Sequence, residues 1–429
     1  MKIHIKNGRL VDPVHQIDAP RDLYIVAGKV VAIGAAPEGF VANRVIDASG
    51  LVVAPGLVDV SARLREPGYE HKATLESEIC AALAGGVTSL VCPPDTDPPL
   101  DEPGLVEMLK HRAKTLNQSH VYPLGALTVG LKGEELTEMA ELTEAGCIGF
   151  AQCEQPIIDT QVLLRALQYA HTFGYLVWLR PQDAHLGQGG VAHDGPVATR
   201  LGLPGIPVAA ETVALYTILE LVRATGARVH LCRLSSAAGL QLVRAAKLEG
   251  LPVTCDVGVH HLHLTDIDIG YFDPLCRLNP PLRSLRDRDA IRAAVADGTV
   301  DVVCSDHTPV DDDEKHLPFG EAEPGATGLE LLLSLMLKWA AETGASLSDA
   351  LARVTSRPAQ LLGLSAGHLG VGATADVCLF DPAARWRIEP SALKSQGHNT
   401  PFTGYELEGR VMFTLVSGHL AYEAQRRAQ

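Results

Sequence analysis

The chain has 429 residues, 46% hydrophobic and only 5% aromatic, enough apolar material for one large core with a smaller one beside it. Its 36 Lys and Arg against 51 Asp and Glu give a formal charge of −15, which argues against a nucleic-acid or anionic-membrane surface. The nine cysteines form no CxxC pair and no regular framework, so buried thiols in a reducing cytosol are expected rather than disulfides.

The first stretch, "MKIHIKNGRLVDP", alternates like a strand and lacks the apolar core of a signal peptide. No apolar run approaches the ~18 residues of a membrane span, so a cytoplasmic protein is expected. Short alternating strands continue in "DLYIVAGKVVAIG" and "NRVIDASGLVVAPG". From Gly56 onward the pattern changes to a repeated strand, loop and helix. The strands are "GLVDVSA", "TSLVCPP", "VYPLGAL", "CIGFAQ", "LVWLRPQ", "RVHLCRLS", "PVTCDVGV" and "DVVCSDHT". They are apolar on both faces, as buried parallel strands are. Helical patterns such as "DTQVLLRALQYAHTFG" and "ETVALYTILELVRATG" lie between them and end at Gly174 and Gly226, where a C-cap favours glycine. Eight such units predict an α/β fold, a (β/α)8 TIM barrel over residues 56–366. The opening style returns in "ADVCLFDP", "WRIEP" and "GRVMFTLVSGHLAYE". Residues 1–55 and 367–429 are therefore expected to pair into one small β-sandwich domain, since neither half has enough strands alone. The acidic, Gly- and Pro-rich stretch 308–328 follows strand eight and reads as a lid-like loop or a solvated one.

Chemistry in such a barrel sits at the C-terminal ends of the strands. There, "LREPG", "TCDVGVHHLHLT", "LNPPLRS", "CSDHTP" and "HNTPFTGYELEGRV", in this order and at these intervals, resemble type I dihydroorotase of the amidohydrolase superfamily. The resemblance runs from "NGRLVDP" to "GRVMFTLVSG". It implies a metal centre of two histidines on strand one, a bridging acid or modified lysine after strand four, a histidine after each of strands five and six, and an aspartate after strand eight. Such a metal lowers the pKa of bound water to about 7 and supplies hydroxide to a cyclic amide. Matched residue by residue, the strand-one positions hold Ser61 and Arg63, the bridging place Gln152, and the last two histidine places Arg180 and Arg233. Asp306 retains the family's residue type. Of the substrate-holding positions the resemblance implies, Arg65 and Asn279 match, whereas Asp95 stands for an Asn and Val310 for a His.

Arginine offers donors only and no lone pair, and three guanidinium groups in one cavity repel a dication. No metal and no other cofactor is therefore expected, and Asp306, Arg65 and Asn279 remain as the remnant of the family site. Arg63, Arg180 and Arg233 are expected to pair with Asp306, Asp95 or Asp183 and plug the cavity, with a small-anion pocket as the alternative. His260, His261 and His263 read as a turn after strand seven, and His230 as a satisfied core histidine. Cys153, Cys232, Cys255 and Cys304 read as small buried residues and not as nucleophiles. On this reading the chain is not an enzyme but an inactive dihydroorotase homologue. The resemblance extends to the dihydroorotase-like chain that joins aspartate transcarbamoylase trimers in some bacteria. It so implies the aspartate transcarbamoylase catalytic chain as partner, a role in pyrimidine biosynthesis and a symmetric homodimer. Two alternatives stand beside it: an active dihydroorotase or cyclic-amide hydrolase with an atypical metal centre, and a small-anion sensor.

Overall fold

The computed structural model describes residues 1–116 and 118–424. The last residues of the expected terminal β-domain, 425–429, lie outside the described residues. Eight parallel strand positions follow one another as neighbours. They are Leu57–Asp59, Val87–Cys92, a third split into His120–Pro123 and Gly125–Ala126, then Phe150–Ala151, Leu176–Leu179, Arg228–Leu231, Val253–Gly258 and Val302–Cys304. The ladders form a three-stranded and a six-stranded segment. They meet at the interrupted third strand, where Leu124 N–H donates to Cys92 O at 2.9 Å. Between the last strand and the first no full ladder forms among the described residues. One parallel bridge, Ala62 with His307, joins them instead. This arrangement is consistent with a (β/α)8 barrel.

The helices cover the outside for reasons legible residue by residue. Leu75–Ala84 starts at Thr74, whose hydroxyl accepts from Ser77 N–H in a reciprocal cap. Thr160–Phe173 starts at Asp159 and stops at Gly174, with φ 73°. Val208–Thr225 stops in the same way at Gly226, with φ 70°. Every residue of Val87–Cys92 and of Leu176–Leu179 is buried, because each strand has the barrel core on one side and a helix on the other. No helix of the described residues is long and apolar enough to cross a membrane.

Two further sheets are built from the chain's two ends. One has the order Lys29–Ile33, Leu23–Val26, Lys2–Lys6, Arg44–Asp47. The other runs His419–Glu423, Glu406–Val416, Val377–Arg387, Val52–Pro55, Arg9–Asp12, Ile17–Pro20, so that Val53 pairs with Leu379 on one side and Leu10 on the other. Ile3, Ile5, Leu23 and Ile25 of the first sheet and Leu10, Val53, Leu379 and Leu415 of the second share one apolar core. The segments read separately as "ADVCLFDP" and "WRIEP" form a single strand, Val377–Arg387, with a register shift between Asp381 and Arg385.

Residues 308–328 are a packed segment and not a solvated loop. Val310, Phe319, Ala322 and Ala326 are buried. The buried Asn399, from "HNTPF", accepts from Val310 N–H at 3.0 Å and donates to Thr308 O at 3.0 Å and Gly325 O at 3.1 Å. Two acids of the segment face Lys72, whose Nζ pairs with Glu314 at 3.0 Å and with Glu323, while Asp312, Asp313 and Glu321 stay exposed.

Candidate functional site

The barrel mouth is organised around one carboxylate that matching to the family pattern did not single out, Glu154 in the loop after strand four. Arg63 Nη2 donates to its Oε1 at 2.9 Å, Arg233 Nη2 lies 2.5 Å from the same oxygen, and Asn279 Nδ2 donates to Oε2 at 2.8 Å. Arg180 Nε sits 2.9 Å from Oε2 but makes no aligned hydrogen bond, so the two face each other as a charge pair. The three arginine side chains are only 7%, 4% and 6% exposed for Arg63, Arg180 and Arg233, against 30% for Glu154. Burial alone would raise the Glu154 carboxyl, but Arg180, Arg233 and Arg63 together hold it well below the ordinary carboxylate range.

Around this knot lie the remaining acids. Asp95 accepts from Arg63 Nε at 2.7 Å. Asp306 is farther off, 3.4 Å from Arg233 Nη1 and 3.7 Å from Arg63 Nη1. Burial dominates there and pushes the Asp306 carboxyl up to about 6, with the two arginines pulling the other way. Asp183 does not join the arginines, because its carboxylate caps the backbone N–H groups of His185 and Leu186. Four non-glycine residues around the mouth take positive φ, namely Arg65 at 62°, Cys153 at 53°, Arg233 at 52° and Asp306 at 46°. Strain of that kind, on the order of 1 kcal/mol each, collects at functional sites.

Other expected positions are drawn elsewhere. Gln152 is buried but turned away, accepting from Thr128 Oγ1 at 3.0 Å and donating to Leu131 O at 2.9 Å. Arg65 Nε donates to Pro309 O at 2.8 Å and its guanidinium lies 3.7 Å from Glu323, so it braces the 308–328 segment. Ser61 lines a cavity of about 30 Å³ beneath the arginines, shared with Trp178, Cys153 and Cys232. That is room for about one water.

A divalent metal does not fit these residues. The arginines have no lone pair, both Glu154 oxygens face cationic or amide donors, and the Gln152 amide is spent on the loop after strand three. Nearby histidines do not supply a substitute. His260, His261 and His263 each place Nε2 on a backbone carbonyl, of Thr327, Pro280 and Leu335 respectively. Burial pushes them down to about 3, 4 and 4, so they are neutral core groups. His230, Cys232 and Asp256 do bring ligand-type atoms within 4.8 Å of one another. However, His230 already bonds Thr254 through Nδ1 at 2.8 Å and Asp256 through Nε2 at 2.9 Å. Burial also pushes the thiols of Cys153, Cys232 and Cys304 well above their ordinary value, which leaves them as poor nucleophiles. Protein grown with excess zinc is accordingly expected to carry well under stoichiometric metal by inductively coupled plasma mass spectrometry. Zinc at one ion per chain, lost with a change in the mouth, would overturn that expectation.

Sequence reasoning also missed the brace under strand eight. His307 Nδ1 accepts the N–H of Gly328 at 3.1 Å, so Nε2 carries the proton that it shares with Glu78. Glu78 also accepts from Ser395 Oγ at 2.7 Å and Gln396 N–H at 3.1 Å, tying the "HNTPF" approach to the barrel.

Comparisons with known proteins bear on this geometry. A family model described as "Dihydro-orotase-like" matches residues 50–238, and one described as "Amidohydrolase family" matches 200–422. The chain is 48% identical over 423 residues to a "Dihydroorotase-like protein" of Pseudomonas aeruginosa, covering 99% of this chain and 100% of that one. It is 41% identical over 427 residues to a "Dihydroorotase" of Geobacter sp. (strain M21), covering 99% and 100%. Among solved structures it resembles the L-hydantoinase of Arthrobacter aurescens, with a TM-score of 0.88 and 25% identity over 98% of this chain and 96% of that one. These matches correct the expectation that the chain is not an enzyme, because its full-length relatives and structural neighbours carry the names of hydrolases. The physical reason for the error is that missing ligand types speak to the metal and not to the remaining acid and base groups. Strand order, mouth position and full-length identity agree, and the chain belongs to the dihydroorotase-like amidohydrolase family.

Proposed function

We propose that this dihydroorotase-like amidohydrolase serves pyrimidine biosynthesis as a partner of the aspartate transcarbamoylase catalytic chain, with arginine and carboxylate groups at its mouth in place of a metal pair. The observation that supports the altered mouth is the convergence of Arg63, Arg180 and Arg233 on Glu154, where the resemblance puts the family's metal ligands. The partnership is what the sequence resemblance implies. The exterior offers large apolar side chains suited to a partner, including Tyr216 and Val213 on helix Val208–Thr225, 63% and 42% exposed. A symmetric homodimer presents two equivalent sites for joining transferase trimers. Size-exclusion chromatography with light scattering on the two proteins, separate and mixed, tests this. A dimer that co-elutes with the transferase and raises its activity is expected. Independent elution at micromolar concentration, beside a transferase fully active alone, refutes it.

A second reading, cyclic-amide hydrolysis at this same mouth, is supported by the full-length relatives named dihydroorotase. It is also supported by Asp306, which burial holds near 6, within range of proton transfer around neutrality. Turnover of dihydroorotate or hydantoin by chelator-treated protein, lost in Asp306→Asn, would favour it. No turnover with or without added zinc would dismiss it.

A further inference from the structure

Beyond Arg180, on the outer side of the mouth, lies a cavity of about 190 Å³ between the loop after strand four and helix Val208–Thr225. Its walls divide by chemistry. Ile157, Leu163, Leu179 and Ile218 supply apolar surface and Arg180 and Gln182 supply donors, while the carboxylate of Asp183, also in the lining, is taken up by the backbone N–H groups of His185 and Leu186. Arg180 is the least compensated of the three arginines. Among the described residues its one carboxylate partner is Glu154, its Nε lacks an aligned hydrogen bond while Nη2 donates to the Gln182 side-chain oxygen, and 4% of its side chain is exposed. Burial and the neighbouring guanidinium groups of Arg233 and Arg63 lower its pKa against the pull of Glu154.

Glu154 itself is held differently from an ordinary core carboxylate. It stands on a loop, follows a residue at positive φ (Cys153), and is 30% exposed, so water reaches it. Charge bookkeeping constrains what else can enter. Three arginines face Glu154, Asp95 and Asp306, a balance of three against three once Asp306 is ionised above about 6. A further anion added to that set leaves net negative charge in a poorly solvated site, which is unfavourable. An anion that takes the place of Glu154 leaves the balance unchanged.

We propose that Arg63, Arg180 and Arg233 form a binding site for a small monocarboxylate with a short apolar body. Glu154 fills the carboxylate position in the free protein as a built-in competitor, and the neighbouring cavity takes the apolar body. The site shares the mouth with Asp306, but the proposal rests neither on the transferase partnership nor on hydrolysis. Binding displaces Glu154 toward solvent and exchanges one carboxylate for another on the same guanidinium groups.

Isothermal titration calorimetry on the full chain tests this, with butyrate as probe, n-butanol as its neutral counterpart and inorganic phosphate as an anion without the body. Butyrate is expected to bind weakly to the wild type, and butanol not at all. Glu154→Gln removes the competitor and should tighten butyrate by about tenfold, because the receptive state becomes the populated one. Arg180→Met should abolish binding. Ala214→Phe, on the helix wall of the cavity, should abolish butyrate binding while the arginine cluster stays intact, so the proposal remains decidable even if Glu154→Gln fails to fold. Phosphate binding more tightly than butyrate, or butyrate affinity unaltered by Ala214→Phe, overturns it.

Discussion

Glu154→Gln lowers the stability of the free protein by about 3 kcal/mol, read as a shift of the urea midpoint at unchanged slope. The size follows from what the substitution strands. Three guanidinium groups, each less than a tenth exposed, lose the carboxylate that two of them touch within 2.9 Å through aligned or short contacts and the third faces as a charge pair. Removing one partner of a buried pair costs far more than the pair contributes, because the remaining charge keeps its desolvation penalty. The pH dependence has a definite sign. Glu154 has its folded value depressed from 4.5, so its contribution is fully present above that value and is lost as pH falls toward the folded one. Asp306 runs the other way. Its folded value of about 6 exceeds the ordinary 3.8, so stability rises as pH falls from about 6 toward 3.8. Asp306→Asn is therefore expected to be mild at neutral pH, within about 1 kcal/mol. A Glu154→Gln protein with the wild-type midpoint would show that the arginines find other counter-charges.

Asn399→Ala loosens the 308–328 segment and costs about 3 kcal/mol, since each stranded buried group costs roughly 1–3 kcal/mol. The Asn399 side chain, in a residue 2% exposed, is the partner of Val310 N–H, Thr308 O and Gly325 O, and alanine satisfies none of them. The loss is local, so amide exchange should accelerate within 308–328 while the barrel strands stay protected. Exchange unchanged in that segment would mean that Lys72 and Arg65 hold it through Glu314 and Glu323 without Asn399.

Much of the barrel was legible because most of its strands, such as Val87–Cys92 and Leu176–Leu179, are buried on both sides and read as apolar runs closed by a turn. The contact between the last strand and the first was not legible, since one bridge between Ala62 and His307 leaves no pattern in a sequence. The mouth was half legible. Matching to a family pattern asks which residue replaced a ligand, so it found the arginines and pointed to Gln152, which in fact turns toward Thr128 and Leu131. The counter-charges expected for the arginines, Asp306, Asp95 or Asp183, included two that do face them but not the one that all three share. The missed acid is Glu154, the nearest one past strand four in "FAQCEQP". The segment 308–328 misled by composition. Its acids looked solvated, but Glu314 and Glu323 meet Lys72 and Arg65, which lie more than 240 positions away and which only the fold brings to them.

The placing of Val52–Pro55 between Arg9–Asp12 and Val377–Arg387 has a consequence for how the protein is made. Val53 leaves the ribosome some 326 residues before the Leu379 it must pair with (379 − 53). At roughly 5–20 residues per second, that interval lasts tens of seconds. Throughout it the nascent chain carries an apolar strand edge without its neighbour, the kind of edge that recruits other chains. A chaperone that shelters the emerging N-terminal sheets, or slow growth at low temperature, should therefore raise the soluble yield more than any change at the mouth.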